Sequence, residues 1–107
     1  MKIAEFVESL AALAQESRLT LLRILVKRGA EGYTPSQLCE RLDIPGPTLS
    51  FHLKELQRAG LTQSRRDGRF LYYSPNLPRM HELIAFLTDN CCGLGDKVAR
   101  LAPRPRK

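Results

Sequence analysis

YTPSQLCERLDIPGPTLSFHLKELQRAGL, residues 33–61, is the stretch on which the fold turns. Thr34 supplies a capping hydroxyl, and Pro35 brings a pre-set φ to a first helical position, so a helix is predicted to start here. Leu38 and Leu42 mark its inward side. Asp43-Ile44-Pro45-Gly46 breaks it early. Pro47 then stands at the start of a second helix. Leu49, Leu53 and Leu56 lie on its buried side, and Gly60 ends it. Two helices joined by a tight turn, the second longer and more basic, form a helix-turn-helix pattern.

Moving outward, the period changes in LTQSRRDGRFLYYSP, residues 61–75. Two strand-like runs flank Arg66-Asp67-Gly68-Arg69. Asp-Gly is a strong two-residue hairpin signal because both positions accept positive φ. Phe70, Tyr72 and Tyr73 favour strand. The prediction is a β-hairpin tipped with arginines. Pro75 and Pro78 punctuate its exit. RMHELIAFLTDNCC is helical again, with Met80, Leu83, Ile84 and Leu87 on one face and Cys91 continuing the stripe. Gly93 and Gly95 end or fray that helix. KVARLAPRPRK adds a turn and then a basic tail.

Upstream, Ile3, Phe6, Val7, Leu10, Leu13 and Ala14 recur at helical spacing. ESRLTLLRILVKRG follows, with Ser17 as the expected cap. Leu19, Leu22, Ile24, Leu25 and Val26 form its expected buried face, and Gly29 and Gly32 close it. The expected fold class is mainly α with a small β-hairpin wing, a winged helix-turn-helix. Residues 1–101 are expected to form one winged helix-turn-helix domain for DNA binding and dimerisation, and residues 102–107 a basic tail expected to be disordered.

The bulk numbers agree. A chain of 107 residues supports one domain, and 43% hydrophobic residues give a modest core for which dimerisation is a natural supplement. The net charge of +6 is unevenly spread. Residues 44–79 carry Lys54, Arg58, Arg65, Arg66, Arg69 and Arg79 against Glu55 and Asp67, which suggests a polyanionic partner. No apolar run approaches membrane-spanning length, and Glu5 and Glu8 interrupt the N-terminal stretch, so no membrane association and no signal peptide are expected. Three cysteines, Cys39, Cys91 and Cys92, argue against a secreted disulfide framework and for a reducing cytoplasm. An enzyme is not expected: there is no Cys-x-x-Cys, no phosphate-cradling glycine loop and no triad.

A helix fits the major groove of B-DNA, and hairpin arginines reach phosphates or the minor groove beside it. On the second helix of the pair, the positions left over from the core include Thr48, Ser50, Phe51, His52 and Lys54. The hydroxyls of Thr48 and Ser50 suit close approach to bases or phosphates. Phe51 either packs on a thymine methyl or is half buried. His52 lies between the faces, as a packed hydrogen-bonded residue or a base reader. Lys54, Arg65, Arg66 and Arg69 are the candidate phosphate contacts.

LAALAQESRLTLLRIL, residues 10–25, the helix-turn-helix stretch and SRRDGRFLYYS, residues 64–74, together resemble the ArsR/SmtB family of bacterial metalloregulatory repressors. The most specific element is Ser50-x-His52-Leu53-x-x-Leu56-x-x-Ala59-Gly60-Leu61, followed by Arg66-x-Gly68-Arg69; the resemblance covers residues 4 to 90. It implies a homodimer whose first and last helices form the interface. It implies binding to an inverted-repeat operator in double-stranded DNA with no cofactor required, and release by an inducer.

Family inducer sites map unevenly onto this chain. The Cys-x-Cys-x-x-Cys cluster of one arsenic-responsive subgroup falls on Thr34, Ser36 and Cys39, so only Cys39 remains. The zinc-type site on the last helix finds His81, Glu82 and Asp89 without a second histidine. Another arsenic-responsive subgroup carries Asn-Cys-Cys at the end of the last helix with a third cysteine downstream. Here Asn90-Cys91-Cys92 matches, and the downstream position, near Val98, holds no cysteine. The resemblance therefore implies release by As(III), methyl-As(III) or Sb(III) at Cys91 and Cys92. The alternatives are a family member sensing redox state or another metal, or one with no ligand.

Overall fold

The computed structural model describes residues 2–89. Its elements are α1 (Ile3–Leu13), α2 (Glu16–Arg28), a 3-10 turn (Gly29–Glu31), α3 (Pro35–Leu42), α4 (Gly46–Arg58), β1 (Thr62–Asp67), β2 (Phe70–Pro75) and α5 (Leu77–Thr88). The architecture is a winged helix-turn-helix, mainly α with one antiparallel hairpin.

Capping chemistry sets the helix boundaries. At the start of α3 the Thr34 hydroxyl accepts from the Gln37 N–H at 3.3 Å, and the Gln37 side-chain oxygen accepts from the Thr34 N–H at 2.9 Å. This reciprocal box satisfies two otherwise orphaned donors. Asp43 ends α3 in the left-handed region, φ 55, and Pro45 leads extended into α4 with Pro47 in its first turn. The start of α2 differs from expectation. Gln15, not Ser17, is the cap: its side-chain oxygen accepts from the Arg18 N–H at 2.9 Å, and Ser17 lies inside the first turn. A long amide reaches the same N–H that a hydroxyl one position from the helix would serve.

The hairpin turn also sits one residue later than Asp-Gly implies. Asp67 pairs with Phe70, leaving Gly68 and Arg69 as the loop, and of the turn residues only Gly68 has positive φ, 66. Glycine at the first loop position is the type II′ arrangement, whose twist suits a hairpin. Tyr33 extends the sheet by a lone bridge to Tyr73, through reciprocal N–H···O bonds of 2.9 and 2.8 Å.

Leu21 and Leu25 of α2, Leu38 of α3, Leu49 and Leu56 of α4, and Leu61 are fully buried. Each such side chain contributes about 1.5–3 kcal/mol when withdrawn from water. The end of α4 anchors its neighbours. The fully buried Ser9 of α1 donates its hydroxyl to the Ala59 carbonyl at 3.0 Å, and Asn76, the cap of α5, donates its amide to the Gly60 carbonyl at 2.9 Å. Carbonyls that a helix leaves orphaned at its C-terminus thus orient the first and last helices.

Those two helices meet through Phe6 and Phe86, whose rings stack with centroids 4.0 Å apart and planes 8° from parallel. Beyond that stack and the buried Leu83, much of their outer apolar stripes is exposed among the described residues. Ile3, Val7 and Leu10 of α1 and Ile84 and Leu87 of α5 are 41–68% exposed, and α1 turns Phe6, Ser9 and Ala12 inward instead. On α2, Leu19 and Val26 are likewise exposed.

Candidate nucleic-acid interface

The buried stripe of α4 leaves Thr48, Ser50, Phe51 and Lys54 in solvent. Phe51 is 56% exposed, with its ring in the solvent-facing row of α4. Beside this face, Pro35, Ser50, Leu53, Lys54, Gln57, Arg58 and Tyr73 line an open cleft of about 650 Å³ between α3, α4 and β2. Gln57 and Tyr73 are additions to the residues the sequence nominates; both follow from α4 periodicity and hairpin register only once the wing is docked. Arg58 is engaged in ion pairs with Glu55 and Glu8.

His52 is withdrawn from the surface. It is 8% exposed and faces Arg18 of α2, whose guanidinium nitrogen lies 3.4 Å from His52 Nδ1. Burial, and then the Arg18 charge, lower its pKa below the usual imidazole value. A guanidinium only donates, so Nδ1 must be the bare acceptor nitrogen and the ring proton sits on Nε2. His52 therefore lies behind the exposed row of α4 and not in it.

Strand alternation separates Arg65 from Arg66, and Arg69 sits in the hairpin loop. Arg66 and Arg69 are exposed at the tip. Arg65 points back: it donates to the carbonyls of Ala30 at 3.0 Å and Glu31 at 3.2 Å, and its guanidinium carbon lies 4.8 Å from the Tyr72 ring centroid. It braces the wing against the turn that follows α2. A second aromatic brace escapes sequence reading: Tyr33, nearly buried, has Arg28 and Arg41 over its ring at 4.5 and 4.9 Å.

Cys39 on α3 is half buried and lies against the hydrophobic core. His81, Glu82 and Asp89 lie on or just after α5, and among the described residues no three His, Cys, Asp or Glu side chains converge to hold a metal ion. Cys91, Cys92 and the tail at residues 102–107 lie outside the described residues. No described helix is long and apolar enough to cross a membrane.

The helix-turn-helix domain family profile matches residues 13–65. The chain is 38% identical over 90 residues to a probable mercury resistance operon repressor of Streptomyces lividans, covering 84% of this chain and 67% of that protein. It is 35% identical over 68 residues to the arsenical resistance operon repressor of Escherichia coli (strain K12), covering 62% of this chain and 56% of that one. The chain thus spans between just over half and two thirds of the length of these two relatives. An ArsR-like transcriptional regulator from Rhodococcus sp. RHA1 has the same fold, with a TM-score of 0.76, 26% identity, and coverage of 92% of this chain and 91% of that one. These relatives are transcriptional regulators, not enzymes. A recognition helix backed by buried leucines, a braced wing and identity shared along most of the described chain lead to one assignment: the protein belongs to the ArsR family of winged helix-turn-helix transcriptional regulators.

Proposed function

We propose that the protein is a cytoplasmic repressor that binds an inverted-repeat operator as a homodimer and is released when a trivalent arsenical or antimonite bridges Cys91 and Cys92. The observation that carries the DNA-binding half is the exposed row Thr48, Ser50, Phe51 and Lys54 on α4 beside the Arg66 and Arg69 tip. Thr48, Ser50 and Phe51 meet base edges; Lys54, Arg66 and Arg69 meet phosphates. Arg65 contributes by holding the wing at the right distance. The dimer is supported by the apolar surface around the Phe6–Phe86 stack, which in a lone chain stays in water. Two-fold pairing there sets two α4 helices a DNA turn apart, the symmetry of an inverted repeat.

The inducer reading rests on donor chemistry. Two adjacent soft thiols suit a thiophilic ion, and the two relatives named above are, by their names, a probable mercury resistance operon repressor and an arsenical resistance operon repressor. Methyl-As(III) has two exchangeable valences and fits a dithiol. Inorganic As(III) or Sb(III) takes a third ligand from a small thiol, hydroxide, Cys39 or the other subunit. The pair begins three positions after Thr88, the last residue of α5, and α5 is stacked on α1 through Phe86. Closing a chelate ring there shifts α5 against α1 and moves the paired α4 helices out of register with the DNA. Reciprocity requires that operator binding weakens inducer binding equally.

The test is release of a labelled operator complex by arsenite, methylarsenite, antimonite, zinc, cadmium and peroxide. The double variant Cys91→Ser/Cys92→Ser is expected to keep operator affinity and to resist release by the arsenicals. Release of that variant at wild-type arsenical concentrations sinks the site. Release of the wild-type complex by peroxide alone favours the redox reading of the same thiols.

A further inference from the structure

Arg18 stands where α1, α2 and α4 meet, and no part of the DNA-binding face includes it. Its Nε donates to the carbonyl of Ala12, in the last turn of α1, at 2.7 Å. A terminal nitrogen lies 3.4 Å from His52 Nδ1 on α4, and the guanidinium carbon is 6.0 Å from the ring centroid of Phe51. Its own backbone N–H is capped by Gln15 at 2.9 Å, which fixes the base of the side chain. One half-buried cation thus bridges the C-terminal end of α1, where helix carbonyls are unpaired and attract positive charge, to the residue of α4 next to the exposed Phe51.

We propose that Arg18 is a positioning residue for operator recognition: it holds α4 against the end of α1 through His52, so that sequence-specific affinity requires the Arg18–His52 contact although neither side chain touches DNA. The inference rests on the operator-binding reading above.

The contact has a polarity. Arg18 offers only donors, so it is satisfied by the bare Nδ1 of a neutral imidazole. A proton on Nδ1 sets donor against donor and like charge against like charge. The remaining charged groups at this corner are Glu8 of α1 and Glu55 and Arg58 of α4. They line the same hollow as Arg18, and both carboxylates pair with Arg58. Lys54 is exposed on the far side of the helix. The depressed basicity of His52 fits this arrangement. The sign follows: the contact is intact above the imidazole range and is lost as pH falls through the lowered value, so specific affinity falls with acid.

The experiment uses the full chain and a duplex selected by the wild-type protein from a random-sequence pool, with a shuffled duplex as the non-specific probe, over a series of salt concentrations. For Arg18→Gln, with the helical circular dichroism of wild type, specific affinity is expected to drop at least about tenfold. The salt slope and the shuffled-duplex affinity should stay unchanged, because no phosphate contact is removed. A parallel loss on both duplexes with a shallower slope makes Arg18 a phosphate ligand and overturns the proposal, as does wild-type affinity. His52→Asn keeps an acceptor near the Nδ1 position without a titrating ring. It is expected to match wild type at pH 8 and to hold its affinity down to pH values at which wild type has lost about tenfold. If His52→Asn follows the wild-type pH curve, the coupling is refuted even where Arg18→Gln fails to fold. If wild-type protein selects no duplex, the operator-binding reading falls, and this inference falls with it.

Discussion

At the scale of single residues, neighbours with similar chemistry take opposite roles. Phe51 and His52 are adjacent aromatic residues, yet one is 56% exposed and the other 8%. Helical periodicity puts them about 100° apart around α4, with Phe51 opposite the Leu49–Leu53–Leu56 stripe and His52 at its edge. Arg18, 34 positions away, meets His52 there. That contact is not legible in the local sequence. Glycines show the same dependence on distant partners. Gly32 and Gly68 both have positive φ, 74 and 66. A Cβ on Gly68 meets nothing within 4 Å, whereas one on Gly32 lies 2.7 Å from the Tyr73 carbonyl oxygen. Gly68→Ala is expected to cost about 1 kcal/mol from backbone strain alone, and Gly32→Ala about 3 kcal/mol because the Tyr33–Tyr73 bridge must open as well. Urea midpoints of the two variants check this. Equal losses mean that the bridge yields freely.

At the scale of elements, the helix-turn-helix was legible almost to the residue. Thr34-Pro35, the Asp43–Pro45 break and the leucine spacing of α4 are local signals, and local hydrogen bonds decide them. The hairpin was legible as an element, but its turn was shifted by one. Asp-Gly and Gly-Arg loops differ only in which residue takes positive φ, and cross-strand register, Thr62 with Pro75 through Asp67 with Phe70, chooses between them. Register also sorts the arginines, which composition alone treats as equals. Arg69→Ala is expected to reduce the slope of log affinity against log salt by about 0.9 with thermal stability unchanged. Arg65→Ala is expected to leave the slope close to wild type and to lower stability by about 1 kcal/mol, since it loses hydrogen bonds to the Ala30 and Glu31 carbonyls. Paired salt titrations and thermal melts separate the two; a slope change for Arg65→Ala, or an unchanged melt, contradicts the bracing role.

At the scale of the whole molecule, the spacing of apolar residues in α1 and α5 revealed faces but not what covers them. The pattern Ile3, Val7, Leu10 reads the same whether its partner is the same chain or a second copy. Only the inward turn of Phe6, Ser9 and Ala12 shows that the outer row has no partner within the described chain. Val7→Glu combined with Leu87→Glu changes two residues that are 58% and 57% exposed, so the subunit fold should persist. Sedimentation is expected to give a monomer, and operator affinity should fall by about a hundredfold or more as the two half-sites lose their linkage. A dimeric double variant moves the interface elsewhere. The thiol pair was nominated from sequence and family resemblance alone.

The stack of Phe6 on Phe86 joins residues 80 positions apart. On the ribosome α1 emerges early, but its aromatic partner is made only after the leucine core of α2 to α4 and the whole wing have been translated. The helix made first can bond Ala59 through Ser9 once α4 is made, but its aromatic seat is completed last. Until α5 is present Phe6 lacks its stacking partner, and the outer row of α1 stays exposed with or without α5, so a released chain truncated before residue 86 should be retained by chaperones more strongly than the full chain.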